Sequence, residues 1–478
     1  MSLAKKGIVD RIQAFLDTRI GFTETILRPV PSHAMNPFSW LGAIAVLAFF
    51  AQGLTGILML FYYIPTTSEA YSSTIHVIRS VPMGSVIETF HLYMAYAMII
   101  IVFLHLMRNY FTSVQKRPRE AMWVVGFVMG TIVLFQAFTG YLLPWTVLAK
   151  SATDVGIGFL GVLPPQLYIF VKYLIAGVGT NSQELYRFFV FHVVVLPFTL
   201  LLLIVLKLYM FEIHGATDPA SGAKPGDAKP VKWFPDVLLY MLMISGVFVA
   251  AVVVASALFP LQLPPEYSAN APAVVVQPDW YFLWQYQLLK FQVFAGPGEP
   301  LALAVITMGA LLMFFLPFFD RKKERNPMNR PVYTTLGVII IAELVVLTIW
   351  GYMTPGQTIP NMEAVGVVGG VALVVAALLW LTFKLRQKMT GPVTVEAVKG
   401  RMRFLRTPFT HRGPTLVFLA ILAVASVSMA TVVGQATTPQ PDIASLLLGL
   451  AVLFGSLYAL LRLMRRLVMD YQAMVTSS

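Results

Sequence analysis

No cysteine occurs in the 478 residues, and charged side chains make up only 12% of them. The first absence excludes a disulfide scaffold, thiolate zinc and iron–sulfur sites, thiol nucleophiles and thioether-attached haem. The second leaves about half the roughly 25% charge of an ordinary soluble chain. Hydrophobic residues reach 58%, against about 45–50% in soluble domains. One soluble core could not hide that much apolar surface, so the solvent for this chain is lipid. The net charge of +12, from 34 Lys+Arg against 22 Asp+Glu, would suggest nucleic acid in a soluble protein. In a membrane protein its placement matters more than its total.

A spanning helix needs about 20 mostly apolar residues. Windows of that kind lie near 40–62, 86–110, 122–143, 187–211, 237–259, 301–319, 333–352, 364–384, 415–433 and 443–463. The expected fold is therefore an all-α membrane protein with about ten transmembrane helices. Basic residues alternate between the connections. They are dense in the N-terminal segment (Lys5, Lys6, Arg11, Arg19, Arg28), around Lys116, Arg117 and Arg119, and at Lys224, Lys229 and Lys232. They are dense again from Arg321 to Arg330, from Lys384 to Arg412, and at Arg462, Arg465 and Arg466. The intervening connections hold only Arg79, then Lys150 and Lys172, then Lys290, then none. The positive-inside rule places both termini and the basic loops in the cytoplasm. The charge is a topology signal, and no nucleic-acid partner is expected. Residues 8–20 put Ile8, Ile12, Phe15, Leu16 and Ile20 on one face, the pattern of an interfacial helix. No internal repeat stands out beyond the spans.

Ionisable residues at bilayer depth are candidates for function. His91 and His105 share the second span, 14 residues apart. That spacing is about 21 Å of rise, within about 40° of one face, and suits two stacked haems. His192 lies one turn into the fourth span, which enters from the same side, so it matches His91 in depth. A partner for His105 is expected 14 or 15 residues further on, where Leu206 and Lys207 stand. Gly42 and Gly56 repeat the 14-residue interval in the first span, as do Gly126 and Gly140 in the third. Glycine lets a bulky group approach the backbone.

With these residues the chain resembles cytochrome b, the di-haem subunit of Rieske/cytochrome b complexes, from about residue 1 to 355. The resemblance rests on Leu54-Thr55-Gly56, His91 and His105 with Arg108, and Gly140-Tyr141-Leu142-Leu143-Pro144-Trp145. It continues through Arg187-Phe188-Phe189 before His192, Pro278-Asp279-Trp280-Tyr281, and Arg325-Asn326-Pro327 with Arg330-Pro331. It implies a four-helix bundle with two non-covalent b haems, and further helices that complete quinone sites. Quinol would be oxidised on the outer side of an energy-transducing cell membrane, giving one electron to a Rieske iron–sulfur protein and a c-type cytochrome. The other would cross the haems to an inner quinone-reducing site. By position, His91 and His192 would ligate the outer haem and His105 the inner one, with Arg108 near its propionates. Asp279, Tyr281, Tyr286 and Tyr141 would line the outer quinol pocket. A carboxylate in a partly dry pocket has a raised pKa and suits proton acceptance; capping a helix after Pro278 is the alternative for Asp279. A homodimer of the complex is implied.

Several positions depart from the family pattern. Lys207 stands where the family has its fourth haem histidine. Three accounts are open: a neutral amine on the iron, which is favoured, a lysine snorkelling to the interface, or no inner haem. Glu212 takes the place of a histidine often used at the inner quinone site; His214 and Asp236 are the other proton-donor candidates there. Asp279 replaces the commoner glutamate, and Glu88 stands where mitochondrial relatives carry a propionate-binding arginine. Without cysteine, the covalent haem of the chloroplast type should be missing. His33, His76 and His411 have no expected cofactor role. The resulting layout is an interfacial segment at 1–35, a haem domain at 36–215 and a cytoplasmic loop at 216–236. A second module at 237–355 carries the quinol motif, and a three-helix extension occupies 356–478. A haem-b anchor of a quinone-linked dehydrogenase would share the histidines but lack Pro278–Tyr281; a non-redox transporter would instead need broken helices with midplane charge. A pyridine assay should return two haems per chain, and Lys207→Ala should change the spectrum of one of them; a single haem or an unchanged spectrum would count against the lysine ligand.

Overall fold

The computed structural model describes residues 14–15, 17–19, 29–31, 36–177, 180–215, 230–270 and 277–389. Eight helices among them are long and apolar enough to cross a membrane. The spans expected at 415–433 and 443–463, and most of the interfacial helix at 8–20, lie outside the described residues.

The larger of two compact units covers Leu41–Ala228 and Pro260–Leu385. Its spanning helices begin with α1 (Leu41–Leu60); a short α2 (Ala70–Ser80) leads into α3 (Gly84–Phe111) and α4 (Glu120–Leu142). Short helices α5 (Val147–Gly158) and α6 (Pro165–Ala176) precede the continuous span α7 (Asn181–His214). These three short helices lie in connections that the sequence marks only by their few basic residues. In the smaller unit, α8 (Leu238–Leu258) follows a two-stranded antiparallel ladder, β1 (Pro29–Pro31) on β2 (Pro230–Lys232). The first strand lies in the interfacial segment expected at 1–35, beyond its helix at 8–20, and the second in the loop expected at 216–236. Their prolines have no N–H to donate, which confines such a ladder to a short edge.

The larger unit continues with α9 (Leu283–Leu289), α10 (Glu299–Phe314), α11 (Pro331–Met353) and α12 (Asn361–Met389). Within it α1 packs along α3, α7 along α4 and α9 along α11. The sixth span was expected to run to 319, but α10 stops at Phe314. Pro317 is the cause, because its ring displaces the carbonyl four residues back and offers it no N–H. That carbonyl, of Met313, accepts instead from the Trp123 indole at 2.8 Å.

A buried ion cluster ties the connection after α3 to the connection before α11. Asp320 has a fully buried side chain. It pairs with Lys116 Nζ at 3.2 Å and with the Arg330 guanidinium. Lys116 also donates to the carbonyls of Lys322 and Glu324, each at 2.5 Å, and Arg330 to the Ser113 hydroxyl. Burial lowers the proton affinity of the Lys116 amine, and the neighbouring Arg330 adds to that, while Asp320 opposes both. Gly337 lets α11 close on Phe111 of α3, where a Cβ would lie 3.0 Å from the ring, and Tyr110 donates to the Tyr333 carbonyl at 2.7 Å. Asp320→Asn would leave two buried cations without a counter-charge. The expected cost is about 3–5 kcal/mol, read as a lower unfolding temperature of the detergent-solubilised complex.

Candidate functional site

The rings of His91 on α3 and His192 on α7 lie with centroids 6.2 Å apart, edge to face. Each is held by a facing helix through the same set of atoms. Gln52 on α1 donates its amide N–H to the His91 carbonyl at 2.7 Å, and Gln136 on α4 donates to the His192 carbonyl at 2.6 Å. The second bond has a clear origin. Pro197 forces a wide turn over Phe191–Val195, in which the Leu196 N–H bonds the Phe191 carbonyl. The His192 carbonyl would then need the N–H of residue 197, which proline lacks. Gln136 supplies that donor.

The same helices settle the tautomers. His192 Nδ1 is 2.9 Å from the Gln136 carbonyl, which can only accept, so Nδ1 carries the proton. His91 Nδ1 is 2.9 Å from the Thr55 hydroxyl. That hydroxyl donates to the Ala51 carbonyl at 2.9 Å, so its oxygen accepts from the ring. Thr139 holds the corresponding place beside His192 at 3.4 Å. Both rings keep an Nε2 lone pair for a ligand. Gln52 to Gly56 and Gln136 to Gly140 are thus a repeat of the form Gln-x-x-Thr-Gly. The sequence reading saw no such repeat; its signal was the identical offset on the two glycine-bearing spans.

Each glycine of the 14-residue pattern faces one expected ligand. A Cβ would lie 3.5 Å from His91 Cε1 at Gly56, 2.5 Å from His192 Cε1 at Gly140, and 3.1 Å from His105 Cε1 at Gly42. At Gly126 it would run into Lys207 Nζ. Lys207 therefore stands toward α4 as His105 stands toward α1, with its amine six residues inside α4 and not at its end. His105 Nε2 is 3.1 Å from the Asn109 amide, whose oxygen accepts from Arg108 at 3.0 Å. Its Nδ1 has no partner. Glu88, one turn before His91, also has a buried carboxylate oxygen without a partner.

The segment leading to Asp279 is pinned to the His91 end of the bundle. Trp145 takes a left-handed turn with φ 54°. Its carbonyl accepts from Tyr267 N–H at 3.0 Å, and the next peptide, through Val147 N–H, donates to the Pro265 carbonyl at 3.0 Å. The Leu261 N–H is bonded by the Thr89 hydroxyl of α3 at 2.9 Å. Asp279 occupies the cap position before the turn Trp280–Phe282, yet its side chain makes no cap bond. Its carboxylate accepts from the Tyr96 hydroxyl at 2.9 Å and the Tyr281 hydroxyl at 3.2 Å. Trp280 meets the Tyr96 ring edge-on at 6.1 Å, and Tyr141 lies close enough to interact electrostatically with Asp279. Burial pushes the Asp279 carboxyl above its ordinary range, and the two phenol bonds oppose that rise. Burial and the adjacent carboxylate push the Tyr281 phenol well above its ordinary value.

Tyr96 was not singled out from the sequence; its one signal was a phenol inside an apolar span, five residues after His91. Tyr286 is placed elsewhere. Its hydroxyl accepts from Gly356 N–H at 3.2 Å, and Lys290 Nζ sits 5.1 Å from its ring. Glu212 is exposed near the end of α7. His214 ends that helix, and its carbonyl accepts from Arg119 at 2.8 Å. Asp236 belongs to the smaller unit, in the turn Trp233–Val237. His76 lies on α2 near Tyr62; His33 and His411 lie outside the described residues. Among the described residues no group of three or more His, Cys, Asp or Glu side chains could hold a metal ion.

Fold and site together define a multi-pass helical membrane protein built around facing imidazoles. The family profile described as cytochrome b(N-terminal)/b6/petB matches residues 96–266, and the one described as cytochrome b(C-terminal)/b6/petD matches 268–371. The cytochrome bc complex cytochrome b subunit of Chlorobaculum thiosulfatiphilum is 33% identical over 323 residues, 67% of this chain and 75% of that protein. Cytochrome b of Sulfolobus acidocaldarius is 30% identical over 432 residues, 83% of this chain and 75% of that one. A solved hyperthermophilic respiratory Complex III has a chain with TM-score 0.64 and 25% identity, covering 79% of this chain and 97% of its own length. This chain belongs to the cytochrome b family, as a cytochrome b subunit of the bc-complex kind with the N- and C-terminal parts fused. Membership implies b-type haem. Replacing Gln136 by Leu should cost about 1–3 kcal/mol by orphaning the His192 carbonyl. Adding Pro197→Ala should recover part of that loss by restoring a backbone donor, as thermal unfolding of the double mutant would show.

Proposed function

We propose that this chain is the quinol-oxidising subunit of a bc-type complex in an energy-transducing cell membrane, with both termini cytoplasmic. The observation that carries the reading is the Asp279 carboxylate, held by two phenols, one of them on the helix that bears His91 and His105. Quinol releases two protons with its two electrons. A buried carboxylate whose proton affinity is raised suits the uptake of one of those protons at the outer side. Tyr281 and Tyr141 orient the pocket around it, and Tyr286, whose hydroxyl is engaged by Gly356 N–H, has no contact with the carboxylate.

When bound, two b-type haems supply one-electron carriers at the two depths. The donor set fits them: two neighbouring imidazoles, each with an Nε2 lone pair, at one level, and an imidazole and an amine against matched glycines at the other. His91 and His192 would hold the outer haem. His105 and Lys207 would hold the inner one, with Arg108 answering its propionates. A lysine cation among Leu200–Leu208 costs a few kcal/mol, and coordination through the neutral amine removes that cost. The placement of its Nζ against Gly126 supports ligation over snorkelling.

At the inner side Glu212 or His214, or else Asp236, would be the proton donor for quinone reduction, so that turnover moves protons across the membrane. Residues 36–215 form the haem module and 237–355 the module that completes the quinol pocket. Segments 1–35 and 216–236 lie on the cytoplasmic face, and 356–478 offers surface to neighbouring subunits. The electron partners are a Rieske iron–sulfur protein and a c-type cytochrome, in a dimeric complex. A dehydrogenase anchor is disfavoured, since it has no use for Pro278–Tyr281 or the C-terminal match. In the purified complex Asp279→Asn should lower quinol–cytochrome c reductase activity by about 10²-fold or more with both haem spectra unchanged; full activity would overturn the reading.

A further inference from the structure

Tyr96 stands closer to the carboxylate than the motif's own tyrosine, at 2.9 Å against 3.2 Å. It comes from a different element, five residues and so about 7.5 Å along α3 from His91. A carboxylate that accepts from one phenol at each oxygen has both oxygens occupied by donors, an arrangement that favours the anion. The Tyr96 ring cannot swing away easily, because Trp280 and Tyr281 both pack against it, with centroids at 6.1 and 6.2 Å. Aspartate is short, and a donor reaching from α3 holds its Oδ1 toward the haem-bearing helix.

We propose that Tyr96 is a positioning residue for Asp279, holding the carboxylate as an oriented anion so that the base is set before quinol enters. This rests on the reading of Asp279 as proton acceptor. The titratable groups facing the carboxylate among the described residues are Tyr96 from α3, Tyr141 from α4 and Tyr281 from its own turn. No second carboxylate is needed to account for its environment, which burial and the two phenol bonds describe. The sign of the effect follows. A hydrogen bond to the charged form lowers proton affinity, so removing the Tyr96 hydroxyl raises it. The acid side of the activity profile, where the base becomes protonated, then moves to higher pH.

The test is the pH profile of the purified complex with a decyl-substituted benzoquinol and cytochrome c. Tyr96→Phe should move the acid limb up by about one pH unit with both haem spectra unchanged. Should that variant fail to assemble, Tyr96→Gln and Tyr96→Leu both lose the ring and differ in the donor. The glutamine variant's acid limb should then lie below the leucine variant's. An unmoved limb, or coincident limbs for Gln and Leu, overturns the role of Tyr96 while a dead Asp279→Asn leaves the function standing. An active Asp279→Asn overturns the function itself, and the role of Tyr96 with it.

Discussion

In lipid a polar group has no water to fall back on, so each must find its partner inside the protein. That constraint accounts for how the bundle pairs its helices. The His192 carbonyl, stranded by Pro197, draws the Gln136 amide across from α4. The His91 carbonyl draws Gln52 across from α1 in the same way. Threonine and glycine follow at the same offsets, so one five-residue device orients both imidazoles and fixes which nitrogen is free. The helix pairs α1–α3 and α4–α7 and the metal-ready state of the rings are two results of one requirement.

The second half of the larger unit is placed by charge. Asp320 sits among Lys116 and Arg330 with almost no access to solvent, and two cations around one anion leave a net positive charge in the cluster. Such an arrangement is a poor source of net stability, because desolvation offsets most of the attraction. Its value is geometric: the pairing is possible in only one docking of the 320–330 connection against the end of α3. Together with Tyr110 on the Tyr333 carbonyl, it fixes α11 against α3. At the opposite end, backbone bonds of Trp145 and Val147 and the Thr89 hydroxyl hold the 261–267 segment. Beyond that segment Asp279 meets the Tyr96 hydroxyl of α3.

Much of this was legible as periodicity. The eight described spans lie where apolar windows lie; His91, His105 and His192 were selected by depth and face, and Lys207 through the family resemblance. The glycines were legible as a spacing, although what they admit closely is the side chains of His105, His91, Lys207 and His192. The end of α10 was misplaced by five residues, because apolar Leu316–Phe319 continues the window while Pro317 ends the helix. The ladder of Pro29–Pro31 on Pro230–Lys232 was unforeseen, since three-residue strands have no period to detect. Tyr286 looked like a neighbour of Tyr281 on the chain, yet five residues of helix turn it to a different face, and its hydroxyl meets Gly356.

The sequence by itself determined that this chain lives in lipid, how many of its segments are long enough to span, and at which depths its imidazoles and its buried amine lie. Those properties depend on composition and on helical period, which are local. Only the tertiary structure decided that Tyr96, 183 residues before Asp279, is the donor to its carboxylate, and that Gln52 and Gln136 serve histidine carbonyls on other helices. A hydrogen bond depends on distance and direction between groups that the chain order does not relate. Those are set only when the helices have packed.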